Sequence, residues 1–274
     1  MPELPEVESL RRSLLDLVVG RRVESIRVRE SRLREGVDGR ALRRDLAGRR
    51  CLGISRRAKY LILEFEREAR LLVHLGMSGR FFATTEAEPL DRHDHLIFTL
   101  DHGGQLRYRD PRRFGLVRSG SARSFARDPR LTELGPEPFD PVFDGTHLAV
   151  RARGRRGPVK PFLMDARVVV GVGNIYASEA LHRAGIHPAR RVDRIAAARW
   201  EGLARAVREI LAASIERGGT TLADFVDGRG RAGEYATALG VYGREGEPCP
   251  VCGAAIRRSV QAARSTYHCP RCQR

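Results

Sequence analysis

The chain of 274 residues is almost without lysine: of its 50 basic residues only Lys59 and Lys160 are lysines, and the rest are arginines. Arginine stays protonated at any working pH. An arginine-favouring genome accounts for the bias as a whole and leaves those two lysines standing out as retained. Long apolar runs are missing as well. None approaches the roughly 20 residues of a bilayer span, and the opening MPELPEVESL is acidic where a secretory leader is basic and then apolar. A soluble, unexported, cytoplasmic protein with no membrane partner is expected. Cysteine is scarce too. Four of the five fall in the last 26 residues, which argues against a secreted disulfide framework and for a metal site. Cys51, the odd one, reads as a buried strand residue.

What is abundant is positive charge. The formal net charge is +16 and the isoelectric point about 10.8, a balance that favours a polyanionic partner, nucleic acid before anionic membrane.

The length allows two domains, each with its own core. PEVESLRRSLLDLVVG reads as a helix with Pro5 in its first turn, Val7, Leu10, Leu14 and Val18 on one face, and Gly20 at its end. Pro2 and Glu3 then sit just ahead of a helix N-terminus. From Val23 to Ser119 follow short β-like runs (VESIRVR, YLILEF, RLLVHLG, HLIFTL, QLRYRD, GLVRS) at the spacing of a sandwich or barrel. The Pro-rich LGPEPFDPVFDG separates this part from a helical half containing NIYASEALHRAG and RIAAARWEGLARAVREILAASIERG. A stretch with eight glycines, GGTTLADFVDGRGRAGEYATALGVYGREGEP, predicts a long mobile loop before the Cys-rich tail.

In that tail Cys249 and Cys252 form one Cys-x-x-Cys pair and Cys269 and Cys272 another, with 16 residues between. This is the spacing of a closed, structural four-cysteine zinc site for one ion. His268, beside Cys269, is a competing ligand. Arg257, Arg258 and Arg264 lie between the pairs with no acid, as suits a hairpin laid on a phosphate backbone. GVGNIYASEAL sets glycines before Asn174 at an expected helix N-cap, a ready phosphate site or an ordinary cap. RARGRRGPVK, with five cations in ten residues, is either a solvated loop or a further phosphate contact. DPRRFG puts Phe114 among arginines at a strand end, where it is either core or a wedge into a base step.

At the N-terminus, removal of Met1 leaves Pro2 as a free secondary amine. With a pKa near 8, an appreciable fraction is neutral at pH 7 and nucleophilic, and the following helix favours the neutral form further. Glu3 is the adjacent candidate general acid and base. Attack on an aldehyde-like sugar carbon gives an iminium, an electron sink for β-elimination of the neighbouring phosphate. The alternative is a proline and acids that merely start a helix.

PELPEVE, RRAKYL, HLGMSG, HDH, DPRRFG, GVGNIYASEAL, GGTTLADFV, VYGREGEPC and the four-cysteine tail occur together, and jointly the chain closely resembles the bacterial formamidopyrimidine-DNA glycosylase family from Pro2 to its end. The resemblance implies an α+β fold with three modules. These are an N-terminal catalytic β-sandwich with a leading helix (residues 2–134), a helix-two-turn-helix domain with a lesion-capping loop after Gly218 (135–245), and a zinc finger (246–274). It implies excision of 8-oxoguanine and formamidopyrimidines from double-stranded DNA, action on abasic sites, and strand cleavage by a monomeric, nucleoid-associated bacterial enzyme. By the same resemblance Pro2 is the Schiff-base nucleophile and Glu3 its acid, with Lys59 assigned to β-elimination and Arg264 to δ-elimination. His93, Arg112 and Arg156 match DNA-contacting positions, and Asn174 matches a phosphate-binding one. Met77, Arg112 and Phe114 match the trio that fills the gap left by a flipped nucleotide. Ser9 stands where many members have Thr, arginines replace lysines on the DNA face, and the tip VDGRGRAG leaves the lesion range undefined. Competing readings are an endonuclease VIII-like enzyme for oxidised pyrimidines, against which PEL and the Arg-x-Phe spacing speak, and a catalytically silent DNA-binding homologue. A zinc-ribbon RNA-binding protein would leave PELPEVE without a role.

Overall fold

The computed structural model describes residues 1–221 and 225–274. The chain divides into two compact units, each built from separated stretches of sequence: Met1–Thr132 with Arg217–Glu234, and Glu133–Glu216 with Tyr235–Arg274.

The first unit opens with helix α1, Leu4–Val18. Glu3 is its N-cap in extended conformation, and Pro5 lies in the first turn, where the missing N–H has no intrahelical acceptor to lose. Val7, Leu10, Leu14 and Val18 form the buried stripe. Val19 closes the last turn by donating to Leu15 O, and Gly20 follows at φ 83, a left-handed exit that glycine adopts at little cost. Then come β1 (Val23–Val28), α2 (Gly39–Leu46), β2 (Cys51–Arg57), β3 (Tyr60–Phe65), β4 (Ala69–His74), β5 (Arg80–Thr85), β6 (Asp94–Leu100), β7 (Gly104–Arg109) and β8 (Leu116–Ser121). They form two four-stranded antiparallel sheets, ordered β1-β6-β7-β5 and β2-β3-β4-β8. Phe81, Phe98, Leu106 and Tyr108 of the first sheet join Leu61, Leu63, Leu71 and Val117 of the second, and Leu10 and Leu14 of α1, in one core. This is the expected β-sandwich behind a leading helix. The outer face of the second sheet is covered by α3 (Ala122–Ala126), whose Phe125 packs on Ile62, Leu72 and Leu116, and α4 (Pro129–Thr132) follows.

Most of the anticipated strands lie within two residues of where the apolar runs put them. No apolar run marks β2, β5 or α2. Cys51 is a buried residue of β2, as expected.

The stretch 217–234 returns to this first unit. Thr220 N–H reaches Glu6, Gly228 N–H reaches Ser13 Oγ at 2.7 Å, and Ala83 N–H reaches Gly228 O at 2.9 Å. A Cβ at Gly228 would stand 2.5 Å from Leu14 Cδ2, so a larger residue would have to push the Leu14 side chain aside. Of the proposed capping loop, Leu222, Ala223 and Asp224 lie outside the described residues.

The second unit is helical, with α5 (Gly145–Ala152), α6 (Val159–Leu163), α7 (Asn174–Arg183) and α8 (Ala197–Glu216), and ends in a hairpin of β9 (Arg257–Gln261) and β10 (Arg264–His268). Its core includes Leu148, Phe162, Tyr176, Leu181, Trp200 and Leu211, with the Phe162 and Trp200 rings edge to face at 5.6 Å. Asn174 is not the N-cap of α7. Gly173 occupies that position and Asn174 is the first helical residue, its side chain committed to other partners.

Candidate functional site

In the first unit, Pro2 is buried at the head of α1 and Glu3 is 2% exposed. The Glu3 N–H donates to Glu6 Oε2 at 2.7 Å, and Glu6 Oε1 accepts the Thr220 N–H at 2.7 Å. One carboxylate therefore joins the N-terminal end of the chain to the Gly-rich stretch. At Gly219, φ is +89 and a Cβ would fall 2.9 Å from Glu6 Oε1, so both conformation and space require glycine. Further along α1, burial works against ionisation of Glu8, yet hydrogen bonds from Arg11 and Arg12 and the nearby Arg56 charge outweigh it and hold the carboxyl below its usual range.

Lys59 lies in the two-residue turn between β2 and β3, after Ala58 at φ 54. His74, at the end of β4, is pushed down to about 4 by burial first, then by the Lys59 and Arg34 charges. The ring is therefore neutral, and its Nδ1 accepts the Gly76 N–H at 3.0 Å. Gly76 opens the turn that carries Met77. Met77 is 45% exposed, and so is Phe114, at 47%, in the turn between β7 and β8. Phe114 is thus not core. The Arg112 guanidinium lies 4.8 Å from the Phe114 ring centroid. His93 belongs to the same neighbourhood, since its carbonyl accepts the Asp110 N–H at 3.1 Å.

In the second unit, Asn174 is held from both ends. Its Oδ1 accepts from Lys160 Nζ at 2.6 Å, and its Nδ2 donates to Ser265 O at 3.0 Å and Tyr242 Oη at 3.2 Å. Lys160, 1% exposed, also donates to Thr266 Oγ1 at 2.7 Å and Ser265 O at 3.2 Å. One buried ammonium thus ties α6, the head of α7 and the finger hairpin together. Arg264, next to Ser265, is exposed at the start of β10. Arg156 is exposed in the α5–α6 connection. Glu179 accepts the N–H groups of Gly240, Val241 and Tyr242 and so shapes the approach to the finger. Burial raises its pKa, only partly countered by those three donors.

The sulfurs of Cys249, Cys252, Cys269 and Cys272 all lie within 4.8 Å of one another. Cys252 and Cys269 are 3.4 Å apart and Cys249 and Cys272 3.9 Å. Four sulfurs about 2.3 Å from a shared zinc stand roughly 3.8 Å from each other, so the set fits one structural zinc ion. His268 is not among the four. Gln273 supports the set by accepting the Cys269 N–H at 2.7 Å while donating to Ile186 O. His182 Nε2 lies 3.5 Å from Cys249 Sγ.

Glu6, His74, Asp110 and Glu179 do not stand out in the sequence. The only signal they give is membership of PELPEVE, HLGMSG, DPRRFG and NIYASEAL; Glu6, Asp110 and Glu179 each hold a group far away in the chain, while His74 holds the nearby Gly76 N–H.

A β-sandwich headed by Pro-Glu, a helical unit with Asn174 at a helix head, and a four-cysteine finger together define a DNA glycosylase of the helix-two-turn-helix, zinc-finger class. Residues 1–117 match the formamidopyrimidine-DNA glycosylase N-terminal domain, 134–226 the H2TH domain of the same enzyme, and 246–274 the zinc finger found in FPG and IleRS. The chain belongs to the formamidopyrimidine-DNA glycosylase family. It is 51% identical over 274 residues to the formamidopyrimidine-DNA glycosylase of Methylococcus capsulatus, and 50% identical over 280 residues to that of Alkalilimnicola ehrlichii, covering all of both. Among solved structures it resembles a Lactococcus lactis FPG mutant in complex with Fapy-dG-containing DNA (TM-score 0.94, 36% identity, all of both chains). It likewise resembles Lactococcus lactis Fpg with abasic-site DNA (TM-score 0.92, 36% identity, 99% of both). Among the described residues no helix is long and apolar enough to cross a membrane.

Proposed function

We propose that this protein is a bifunctional DNA glycosylase and abasic-site lyase that removes oxidised purines from duplex DNA and nicks the strand by β,δ-elimination. The observation that carries the reading is the head of α1, where Pro2 precedes a buried Glu3 whose backbone is fixed by Glu6.

The chemistry requires loss of Met1, because with Met1 attached the Pro2 nitrogen is a tertiary amide and has no nucleophilic lone pair. Freed, it attacks C1′ of the lesion nucleotide. The N–C1′ bond forms, the glycosidic bond breaks, and the base leaves with the bonding electrons and takes up the proton that the Pro2 nitrogen loses. Glu3 protonates O4′ as the sugar ring opens, giving an iminium between Pro2 and C1′. A proton leaves C2′ and the 3′-phosphate departs, with Lys59 assisting. A second proton then leaves C4′ and the 5′-phosphate departs, with Arg264 assisting, and water hydrolyses the remaining iminium to release Pro2. Met77, Arg112 and Phe114 fill the space vacated by the everted nucleotide, with Arg112 donating to the orphaned partner base, expected to be cytosine. His93, Arg156 and Asn174 hold phosphates. Zinc, when bound to the four cysteines, supplies the folding energy of the finger. The functional modules run over residues 2–134, 135–245 and 246–274, and the working form is a monomer in the bacterial cytoplasm, associated with the nucleoid.

Borohydride reduction during reaction with an 8-oxoguanine duplex should trap a covalent protein–DNA adduct mapping to Pro2. Pro2→Gly, which replaces a preorganised secondary amine by a flexible primary one, should trap far less. An adduct on any other residue, or none from a Met1-free preparation, rules the mechanism out.

A further inference from the structure

Two turns of the first unit carry exposed apolar side chains: 75–79 with Met77, and 110–115 with Phe114. Between them lies Asp110, 0% exposed. Its Oδ1 accepts the Ser78 hydroxyl at 2.7 Å and the Arg112 N–H at 3.3 Å, and its Oδ2 accepts the Gly115 N–H at 2.9 Å and the Tyr108 hydroxyl at 3.4 Å. Ser78 Oγ in turn accepts the Arg112 N–H at 3.2 Å. A buried carboxylate normally needs a cation or a full set of donors. Here four donors drawn from both turns and from β7 surround it.

The two turns approach each other and β7 closely. A Cβ at Gly115 would lie 1.6 Å from Tyr108 Oη, and one at Gly76, φ +62, only 2.5 Å from the Phe114 carbonyl carbon. His95 Nε2 meets the Asp110 carbonyl at 2.8 Å.

We infer that Asp110 is the positioning residue for gap filling: through Ser78 and Gly115 it locks the Met77 turn and the Arg112–Phe114 turn into one rigid wedge. The inference rests on the reading of Met77, Arg112 and Phe114 as gap-filling residues. Eversion of a stacked base costs a few kcal/mol, and a wedge on a compliant loop would yield rather than hold the opened step. Asp110 itself touches neither the base nor the sugar; its work is to stop the two turns from moving apart.

Asp110→Asn keeps size and one acceptor but opposes an amide to the Gly115 N–H. Losing a hydrogen bond to a charged group and leaving its donor unpaired corresponds to about tenfold or more. Single-turnover excision from an 8-oxoguanine:cytosine duplex should therefore slow about tenfold or more, while cleavage at a preformed abasic site, with no base to extract, should change less than about twofold. In a Phe114→Ala background the same substitution should cost less than it does alone, since one of the side chains it positions is gone. The fraction of enzyme trapped by borohydride on abasic DNA counts folded molecules. Should Asp110→Asn not fold, Ser78→Ala decides by the same pattern with a smaller amplitude. Equal slowing of both substrates, or full multiplication of the two effects in the double variant, overturns the inference. Phe114→Ala alone tests the reading beneath it: equal slowing of both substrates by that variant sinks the wedge itself, whatever Asp110 does.

Discussion

The two units share one way of holding their polar side chains and differ in what the second adds to it. In the sandwich unit, carboxylates collect backbone donors: Glu6 takes Glu3 and Thr220, Asp110 takes Arg112 and Gly115, and Asp38 caps α2. In the helical unit Glu179 does the same for Gly240, Val241 and Tyr242, but a buried ammonium, Lys160, also collects acceptors, and four thiols are gathered to hold a cation. The first scheme needs only the polypeptide. The second is completed by zinc, so the two should fail under different insults.

The largest separation is expected on loss of the metal. Cys249→Ser, or chelation, should unfold the finger, because structural zinc supplies roughly 10–16 kcal/mol to its own module. Zinc content should fall and most DNA affinity with it, while the sandwich keeps its thermal transition. Intact binding and cleavage after chelation would remove the finger from the DNA site.

Lys160→Met tests the second scheme without touching the metal. It leaves Asn174 Oδ1 and Thr266 Oγ1 without the donor they now share, a loss of about 2–6 kcal/mol if each unpaired acceptor costs about 1–3. Lys160→Arg should not restore stability, since a planar fork does not reproduce a point donor. DNA binding should weaken, but the slope of log K against log salt, roughly −5 for about six neutralised phosphates, should stay unchanged if Lys160 acts only through Asn174. A slope reduced by about one would make Lys160 itself a phosphate contact.

How much of this is legible from residue order differs along the chain. YLILEF and HLIFTL are apolar enough to be read as strands, and both are. β2 reads CLGISRR, with a glycine and two terminal arginines that mask its alternation, and α2 spans only two turns. The two Cys-x-x-Cys pairs announce their site because zinc geometry demands close spacing. Asn174 reads as a cap, yet Gly173 already fills that place and the Asn side chain is held by Lys160, Tyr242 and Ser265, partners invisible in sequence. The Gly-rich stretch shows no periodicity because Glu6 and Ser13, more than 200 residues away, fix it. Asp110 is hidden inside its motif for the same reason: Ser78 is its partner only in three dimensions.

Acidity should act through buried groups of both signs. His74 is depressed from its ordinary 6.5 to about 4, so between those values the unfolded chain holds the extra proton and the sandwich loses stability as pH falls. Glu8, held low by its arginines, adds to this, its contribution being lost as pH falls through its lowered pKa. Glu179 runs the other way. Raised above its ordinary 4.5, it contributes fully below that value and loses stability as pH rises through its folded pKa. His74→Asn, which keeps an acceptor for the Gly76 N–H, should flatten the acid limb of sandwich unfolding measured in urea between pH 4 and 6.5. An unchanged limb would mean that His74 protonates without cost.

The smallest effect should come from the finger turn. Ala262 and Ala263 sit at φ 48 and 58 between the paired residues Gln261 and Arg264. A two-residue hairpin turn with both central residues left-handed suits Asn-Gly, whereas each alanine there costs about 1–2 kcal/mol. Ala263→Gly relieves one of these costs but loosens the unfolded chain by roughly 0.5–1 kcal/mol, so the net gain should be only about 0.5–1 kcal/mol, read as slower amide exchange across β9 and β10 in the zinc-loaded protein. Because β10 pairing and the Lys160 contacts already fix Ser265 and Thr266, the neighbouring Arg264 should keep its place and strand cleavage should be unchanged. If the exchange slowed as expected but the second elimination step slowed with it, the left-handed alanines would be setting the direction of Arg264, and the turn would belong to the working site rather than to its support.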